Sequence, residues 1–184
     1  MLTHKGTREI KTQRLVLRAF KVTDAKEMFF NWANDERVTK FLTWAPHTGV
    51  EETEKLLDGW CELYSNLDYY NWVIELEGKV IGNISVVRQD DNSERAELGY
   101  CLGFDFWNKG YMTEAVLGVV NFLFKEINCN RVVIAHAKKN VGSGLVAKKC
   151  GFTFEGIQRE HFKGRDGEFL DIVITSLLRS EWGK

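Results

Sequence analysis

Gln13 to Phe20, QRLVLRAF, alternates apolar and polar side chains, the period of a half-buried strand. Thr23 and Asp24 follow as helix-start residues ahead of AKEMFFNWAN, and Trp44-Ala45-Pro46-His47 reads as a loop. Between Gly49 and Asn66 the residues Val50, Leu56, Leu57, Trp60, Leu63 and Tyr64 recur at helical spacing and predict an amphipathic helix. From Tyr69 the period falls to two: YYNWVIEL, an EGK turn and VIGNISVV form a hairpin, QDDNSE is a turn cluster, and RAELGYCLG is a third strand. Strands joined by such short turns run antiparallel.

Tyr111 to Ile127 then carries a continuous helical stripe of Met112, Ala115, Val116, Val119, Val120, Leu123 and Ile127. RVVIAHA is a strand, Val141 to Lys149 a shorter helix, and Phe152 to Glu160 and Glu168 to Leu178 are two further strands. The order β-α-α-β-β-β-α-β-α-β-β predicts a mixed α/β fold, one mostly antiparallel sheet of seven strands with helices on it. At 184 residues the chain has the length of a single domain.

Composition narrows the function classes. A 44% hydrophobic content and 25 basic against 26 acidic residues exclude intrinsic disorder, and the net charge of -1 argues against a direct nucleic-acid partner. Cys61, Cys101, Cys129 and Cys150 lack the spacing of a zinc site and read as buried thiols, so no metal is expected. The N-terminal MLTHKGTREIKTQR has no apolar core, and the longest nearly apolar run, Ala115 to Phe124, is shorter than the ~20 residues that span a bilayer. The expectation is a soluble cytoplasmic protein with no membrane partner.

The richest stretch runs from Glu97 to Ala115, where a strand, a short glycine-containing loop and a helix start succeed one another. Free N–H groups at a helix N-terminus, with the positive end of the dipole behind them, can hold an anion. A pyrophosphate could sit at Asn108 to Thr113; the other reading of Gly110 is a structural turn.

Trp107-Asn-Lys-Gly-Tyr-Met-Thr-Glu-Ala115 resembles the acetyl-CoA pyrophosphate loop of the GNAT superfamily of N-acetyltransferases, in its RimJ/RimL-type form. Thr12-Gln-Arg-Leu-Val-Leu-Arg18, Ala96-Glu-Leu-Gly-Tyr100, Asn140-x-x-Ser143-x-x-Val146 running on to Gly151-Phe152, Glu155-Gly156 and Asp171 agree in order and spacing, from about residue 12 to 182. Two positions depart from the broader superfamily loop: Trp107 replaces its first Gln/Arg and Met112 its second glycine.

The resemblance implies a V-shaped acetyl-CoA cleft between the strand ending at Gly103 and the strand starting near Arg131. Backbone groups around Leu102, Gly103 and Phe104 would pair with the pantetheine arm. Trp107, Asn108, Lys109, Gly110, Tyr111, Met112 and Thr113 would hold the phosphates, and Asn140 and Ser143 would touch the coenzyme. Glu97 would accept the amine proton, directly or through water, unless it is a structural carboxylate. The tyrosine that many members place four residues before the Gly-Phe pair is Ala147 here, which leaves Ser143 as candidate donor to the departing thiolate; its rival role is a helix N-cap. Asn140 has the rival role of a turn residue.

Trp44 and His47 would shape the acceptor pocket, and His136 reads as a core histidine. Arg131, Lys138, Lys139, Lys148 and Lys149 form a basic run beside the expected coenzyme, and residues 51–77 hold eight acids and one lysine beside the expected amine. Either run could equally be a solvated face. Three acceptor readings stand: a protein N-terminal α-amine; a small-molecule amine such as a polyamine, aminoglycoside or amino acid derivative; or no acceptor, in a non-catalytic acyl-CoA-binding module. The resemblance leaves room for a homodimer.

Overall fold

The computed structural model describes residues 2–183. Its strands are β1 (Ile10–Lys11), β2 (Leu15–Arg18), β3 (Asn71–Leu76), β4 (Lys79–Asp90), β5 (Arg95–Leu102), β6 (Arg131–Ala137), β7 (Thr153–Lys163) and β8 (Phe169–Leu178). The helices are α1 (Ala25–Met28), α2 (Glu36–Thr39), α3 (Val50–Leu63), α4 (Tyr111–Lys125) and α5 (Val141–Lys149). One sheet runs in the order β1-β2-β3-β4-β5-β6-β8-β7, antiparallel everywhere except between β5 and β6. That parallel pair is joined by α4, as a crossover connection requires. The eighth strand, absent from the sequence expectation, is the two-residue β1, held by Ile10↔Leu17 and Lys11↔Val16. Two residues are too short for alternation to show.

The sheet separates two cores. Even-numbered residues of its central strands, Trp72, Ile74, Ala96, Leu98, Val132 and Ile134, face α4 and α5. Val73 and Val80 face the opposite cluster, which holds Phe20, Met28, Trp32 and Leu57 from the N-terminal segment and α3. The apolar stripe predicted along α4 is its buried face: Val116, Val119 and Val120 are fully buried, each worth about 1.5–3 kcal/mol. No helix among the described residues is long and apolar enough to cross a membrane.

The segment expected as one helix after Thr23 is broken into three. A 3₁₀ turn, Val22–Asp24, leads into α1, which widens into a π turn over Phe29–Ala33 with Asn34 N–H bonded to Phe29 O at 3.2 Å. The widening turns Asn31 inward, where its side-chain amide donates to Val80 O. Asp24 is no simple start signal: it accepts from Lys21 N–H and from both terminal nitrogens of Arg18, whose Nε holds Glu75. This partly buried network raises the pKa of Arg18 through hydrogen bonds to Asp24 first, against desolvation.

Candidate active site

β5 and β6 pair over four positions only, from Arg95↔Arg131 to Leu98↔Ile134. Beyond Leu98 the first strand stays with β4 and the second with β8, so the sheet parts. Gly103 N–H donates to Ile81 O at 2.8 Å. By alternation, Cys101 also turns its backbone groups to β4, and those of Tyr100 and Leu102 face the gap. Leu102 O is taken by the indole Nε1 of Trp107 at 2.7 Å, which leaves Leu102 N–H and both backbone groups of Tyr100 along the open edge. Phe104, expected on this edge, starts a 3₁₀ turn instead, with its carbonyl on Trp107 N–H and Arg37 stacked 3.8 Å from its ring centroid.

A cleft of about 320 Å³ fills the gap. Its walls are Tyr100, Cys101 and Leu102 on the strand side, Asn140, Ser143 and Val146 from α5, and Val38, Phe41 and Leu42 at the far end. Trp107, Asn108, Gly110, Tyr111, Met112 and Thr113 line its mouth, and among the described residues its only charged walls are Arg37 and Lys149. Burial pushes the Cys101 thiol up to about 12, so it is a neutral wall and no nucleophile.

The mouth has a geometry able to hold an anion. Asn108 at φ +61° and Gly110 at φ +81° bend the loop through the left-handed region, which Asn tolerates and Gly adopts freely. Glu114 N–H, bonded to Gly110 O at 3.0 Å, is the first amide to close a helical bond. The amides of Tyr111, Met112 and Thr113 therefore have no helical acceptor, and the dipole of a 15-residue helix stands behind them. Met112 can replace a glycine here because its side chain turns away into the core.

The loop is braced from outside. Glu114 accepts Thr12 Oγ at 2.6 Å, Arg14 N–H at 2.7 Å and Arg14 Nε at 2.7 Å. Arg14 in turn donates from Nη1 to Lys109 O at 3.1 Å and stacks 4.5 Å from the Tyr111 ring centroid. These bonds hold the Glu114 carboxyl below its ordinary range, against desolvation, which is the largest single influence and acts upward. The sequence carried this brace only as motif residues a hundred positions apart.

On the opposite wall, Asn140 caps α5: its Oδ1 accepts Ser143 N–H at 3.2 Å. Ser143 is thus not the N-cap but sits within the first turn. Its Oγ lies 2.8 Å from the Tyr100 hydroxyl. Sequence reading missed this pair, because nothing in the ELGY alternation says which helix returns over Tyr100.

Glu97 lies one residue before the last β5–β6 pair, opposite Val133 and Arg88, on the face away from α4 and α5. It is half-buried, and its carboxylate makes no hydrogen bond or ion pair with another described residue. It stands at the closed end of the gap rather than in the cleft wall.

Trp44 and His47 do not line the cleft. Their rings lie 5.4 Å apart, Trp44 packs on the α3-side core, and His47 bonds Thr53 Oγ and Ala33 O. His136 Nδ1 donates to Ala137 O at 3.0 Å, and the ring packs against Gly144.

The basic run is mostly neutralised. Arg131 binds Glu155, Lys139 binds Glu168 at 2.5 Å, and Lys138 lies 3.6 Å from Asp171. Lys148 and Lys149 make no ion pair among the described residues. Beside the far end, Arg165 of the β7–β8 hairpin reaches Thr39 O at 3.2 Å and ties the hairpin tip to α2. No group of three potential metal ligands occurs among the described residues.

Comparison with known proteins matches residues 14–153 to the family model described as an acetyltransferase (GNAT) domain. The chain is 31% identical over 156 residues to the "Putative ribosomal N-acetyltransferase YdaF" of Bacillus subtilis, covering 81% of this chain and 82% of the relative. It is 29% identical over 173 residues to the "Uncharacterized N-acetyltransferase p20" of Bacillus licheniformis, covering 93% and 96%. Among solved structures, RimL, a ribosomal L7/L12 α-N-protein acetyltransferase in complex with coenzyme A, superposes with a TM-score of 0.85 at 21% identity, over 95% of this chain and 99% of that one.

Proposed function

The chain belongs to the GNAT family of acetyltransferases, and within that family we propose that it transfers the acetyl group of acetyl-CoA to the α-amine of a protein N-terminus. The observation that carries this choice is the far end of the cleft, where Val38, Phe41 and Leu42 stand beside Arg37 with no carboxylate among the described residues that line it. A polyamine or aminoglycoside would call for acidic walls to pair its several cations. A single α-amine would not. The name of the B. subtilis relative and that of RimL favour the same acceptor.

Acetyl-CoA brings a thioester, an activated acyl group with a thiolate leaving group. Its pyrophosphate fits the free amides of Tyr111, Met112 and Thr113, with Lys149, which makes no ion pair among the described residues, on the cleft wall. Its pantetheine amides fit the backbone edge of Tyr100 and Leu102, an addition of one strand's worth of hydrogen bonding.

A lysine side chain is only about 0.04% neutral at pH 7, whereas an α-amine near pKa 7.7–8 is roughly 10–15% neutral. An α-amine therefore asks less of the base. Glu97, unpaired and on the face away from the coenzyme helices, takes the amine proton, through water given its place beyond the cleft wall. The neutral amine attacks the acetyl carbon directly, the C–S bond breaks, and Ser143 Oγ donates a hydrogen bond to the sulfur as it takes the electron pair.

The test is incubation with acetyl-CoA and a mixed panel of N-terminal peptides, with and without blocked α-amines, and small amines, read by mass spectrometry. A one-acetyl gain confined to free N-terminal peptides supports the reading. A gain confined to small amines overturns it, and tight coenzyme binding with no gain anywhere would identify a binding module instead.

A further inference from the structure

Tyr100 projects from β5 at the point where the sheet parts, and its hydroxyl is placed between two oxygens of α5, Ser143 Oγ at 2.8 Å and Ser143 O at 3.3 Å. The carbonyl is the poorer partner by distance, and in a helix it already serves the amide four residues on. The shorter contact is the hydroxyl pair.

Direction decides its consequence. If serine donates to tyrosine, the serine hydrogen is turned away from the cleft. If tyrosine donates to serine, the serine hydrogen is free to point into it. We propose that Tyr100 is a positioning residue for acyl transfer: its phenol donates to Ser143 Oγ and thereby directs the serine hydrogen at the departing sulfur. The inference rests on the reading of Ser143 as the sulfur's hydrogen-bond donor.

Three features support it. Burial raises the pKa of the phenol, so Tyr100 keeps its hydrogen throughout the physiological range. Ala147, one turn beyond Ser143 on the same helix, is buried and offers no hydroxyl. The Asn140 cap on Ser143 N–H fixes the turn that carries the serine, so the O–H rotor is the freedom left for Tyr100 to set. Neither hydroxyl loses its proton in the reaction. The amine proton leaves toward Glu97, the electron pair of the C–S bond stays on sulfur, and the thiolate takes up a solvent proton after release.

The experiment measures two quantities in Tyr100→Phe, Ser143→Ala and the double variant. One is kcat with a working acceptor. The other is the thiol pKa of coenzyme A bound without acceptor, followed by the ultraviolet absorbance of the thiolate across pH. A donor aimed at sulfur stabilises the thiolate, so the bound thiol pKa is expected to rise by about one unit in each single variant and kcat to fall about tenfold.

Affinity for coenzyme A is expected to stay within about threefold, since the amide contacts use the backbone of Tyr100 and Leu102 and the phosphate contacts the loop amides, all of which these side-chain changes leave in place. The double variant is expected to match Ser143→Ala, because the tyrosine acts only through the serine. Fluorotyrosine at position 100, a stronger donor, is expected to move the thiol pKa the opposite way, and it covers the case of a poorly folded Tyr100→Phe.

If Ser143→Ala shifts both quantities and Tyr100→Phe neither, the role of Tyr100 falls and that of Ser143 stands. If Ser143→Ala shifts neither, the underlying reading fails and this inference with it. A double variant with multiplied losses would show Tyr100 acting by its own route and would overturn the relay.

Discussion

Replacing Arg14 by Ala should loosen the loop proposed to hold the coenzyme phosphates, although Arg14 itself does not line the cleft. The side chain makes one bond to the loop, Nη1 to Lys109 O at 3.1 Å, one ion pair to Glu114 at 2.7 Å, and a stack on Tyr111. A neutral-acceptor hydrogen bond contributes about 0.5–1.5 kcal/mol net and an exposed cation–π stack about 0.5–1 kcal/mol. The Arg14 side chain is 42% exposed, so the ion pair adds about 1 kcal/mol or less after screening.

Part of that total stabilises the fold in both states. Only the part that orders the loop bears on binding. We take this as about 1–2 kcal/mol, which corresponds to a loss of roughly 5- to 30-fold in acetyl-CoA affinity. A second effect has the same sign: without Arg14, the Glu114 charge beside the helix start loses its neutralising partner and repels an incoming pyrophosphate from outside the cleft. Titration calorimetry with coenzyme A measures the first quantity, and steady-state kinetics should show the loss in KM with kcat within about twofold. Arg14→Lys should recover little, since an ammonium cannot span two acceptors as the guanidinium fork does. Unchanged affinity in Arg14→Ala, with the fold intact, would refute the view that this brace organises the loop.

Three further outcomes are expected. Glu97→Gln should bind coenzyme A normally and lose acetyl transfer, and full activity across about pH 6 to 9 would leave water alone as the base. Gly103→Ala would set a Cβ 2.6 Å from Asn31 O at an ordinary φ of -53°. The clash should cost about 1–3 kcal/mol and lower Tm by several degrees in a thermal melt. Glu155, held down at about 2 by Arg131 and then by Ser176, contributes stability that is present above its unfolded pKa of about 4.3 and lost as pH falls toward 2. Its side chain is 36% exposed, so the contribution is about 1 kcal/mol or less, and the Tm difference between wild type and Glu155→Gln should vanish in the acid limb.

Elements with several turns or clear alternation were legible in the sequence almost to the residue: RVVIAHA is β6 and Val141 to Lys149 is α5. Elements of one turn or two residues, α2 and β1, carry no period and were missed. β7 runs to Lys163, past the expected Glu160, because a bulge between Gln158 and Phe162 interrupts the alternation; there Glu160 takes φ +49° and donates its N–H to Asp171 Oδ1. Charge was the least legible property. The basic run of residues 131–150 contains no acid, yet its partners Glu155, Glu168 and Asp171 come from the β7–β8 hairpin that follows it in the chain. The turn and helix start from Trp107 to Thr113 were readable because they are contiguous. The Tyr100–Ser143 pair was not, because 43 positions separate its members.

The parting of β5 from β6 also acts as a sieve. Strands that a parallel ladder would hold about 4.8 Å apart leave, where they part, an edge of unpaired main-chain amides to which one more extended ribbon can add. An arm without amides at that spacing gains none of those bonds, whatever side chains line the walls. Preference for an extended, amide-bearing arm is therefore a property of how far the sheet has unzipped, and substitutions along the walls should tune the strength of binding while leaving that preference intact.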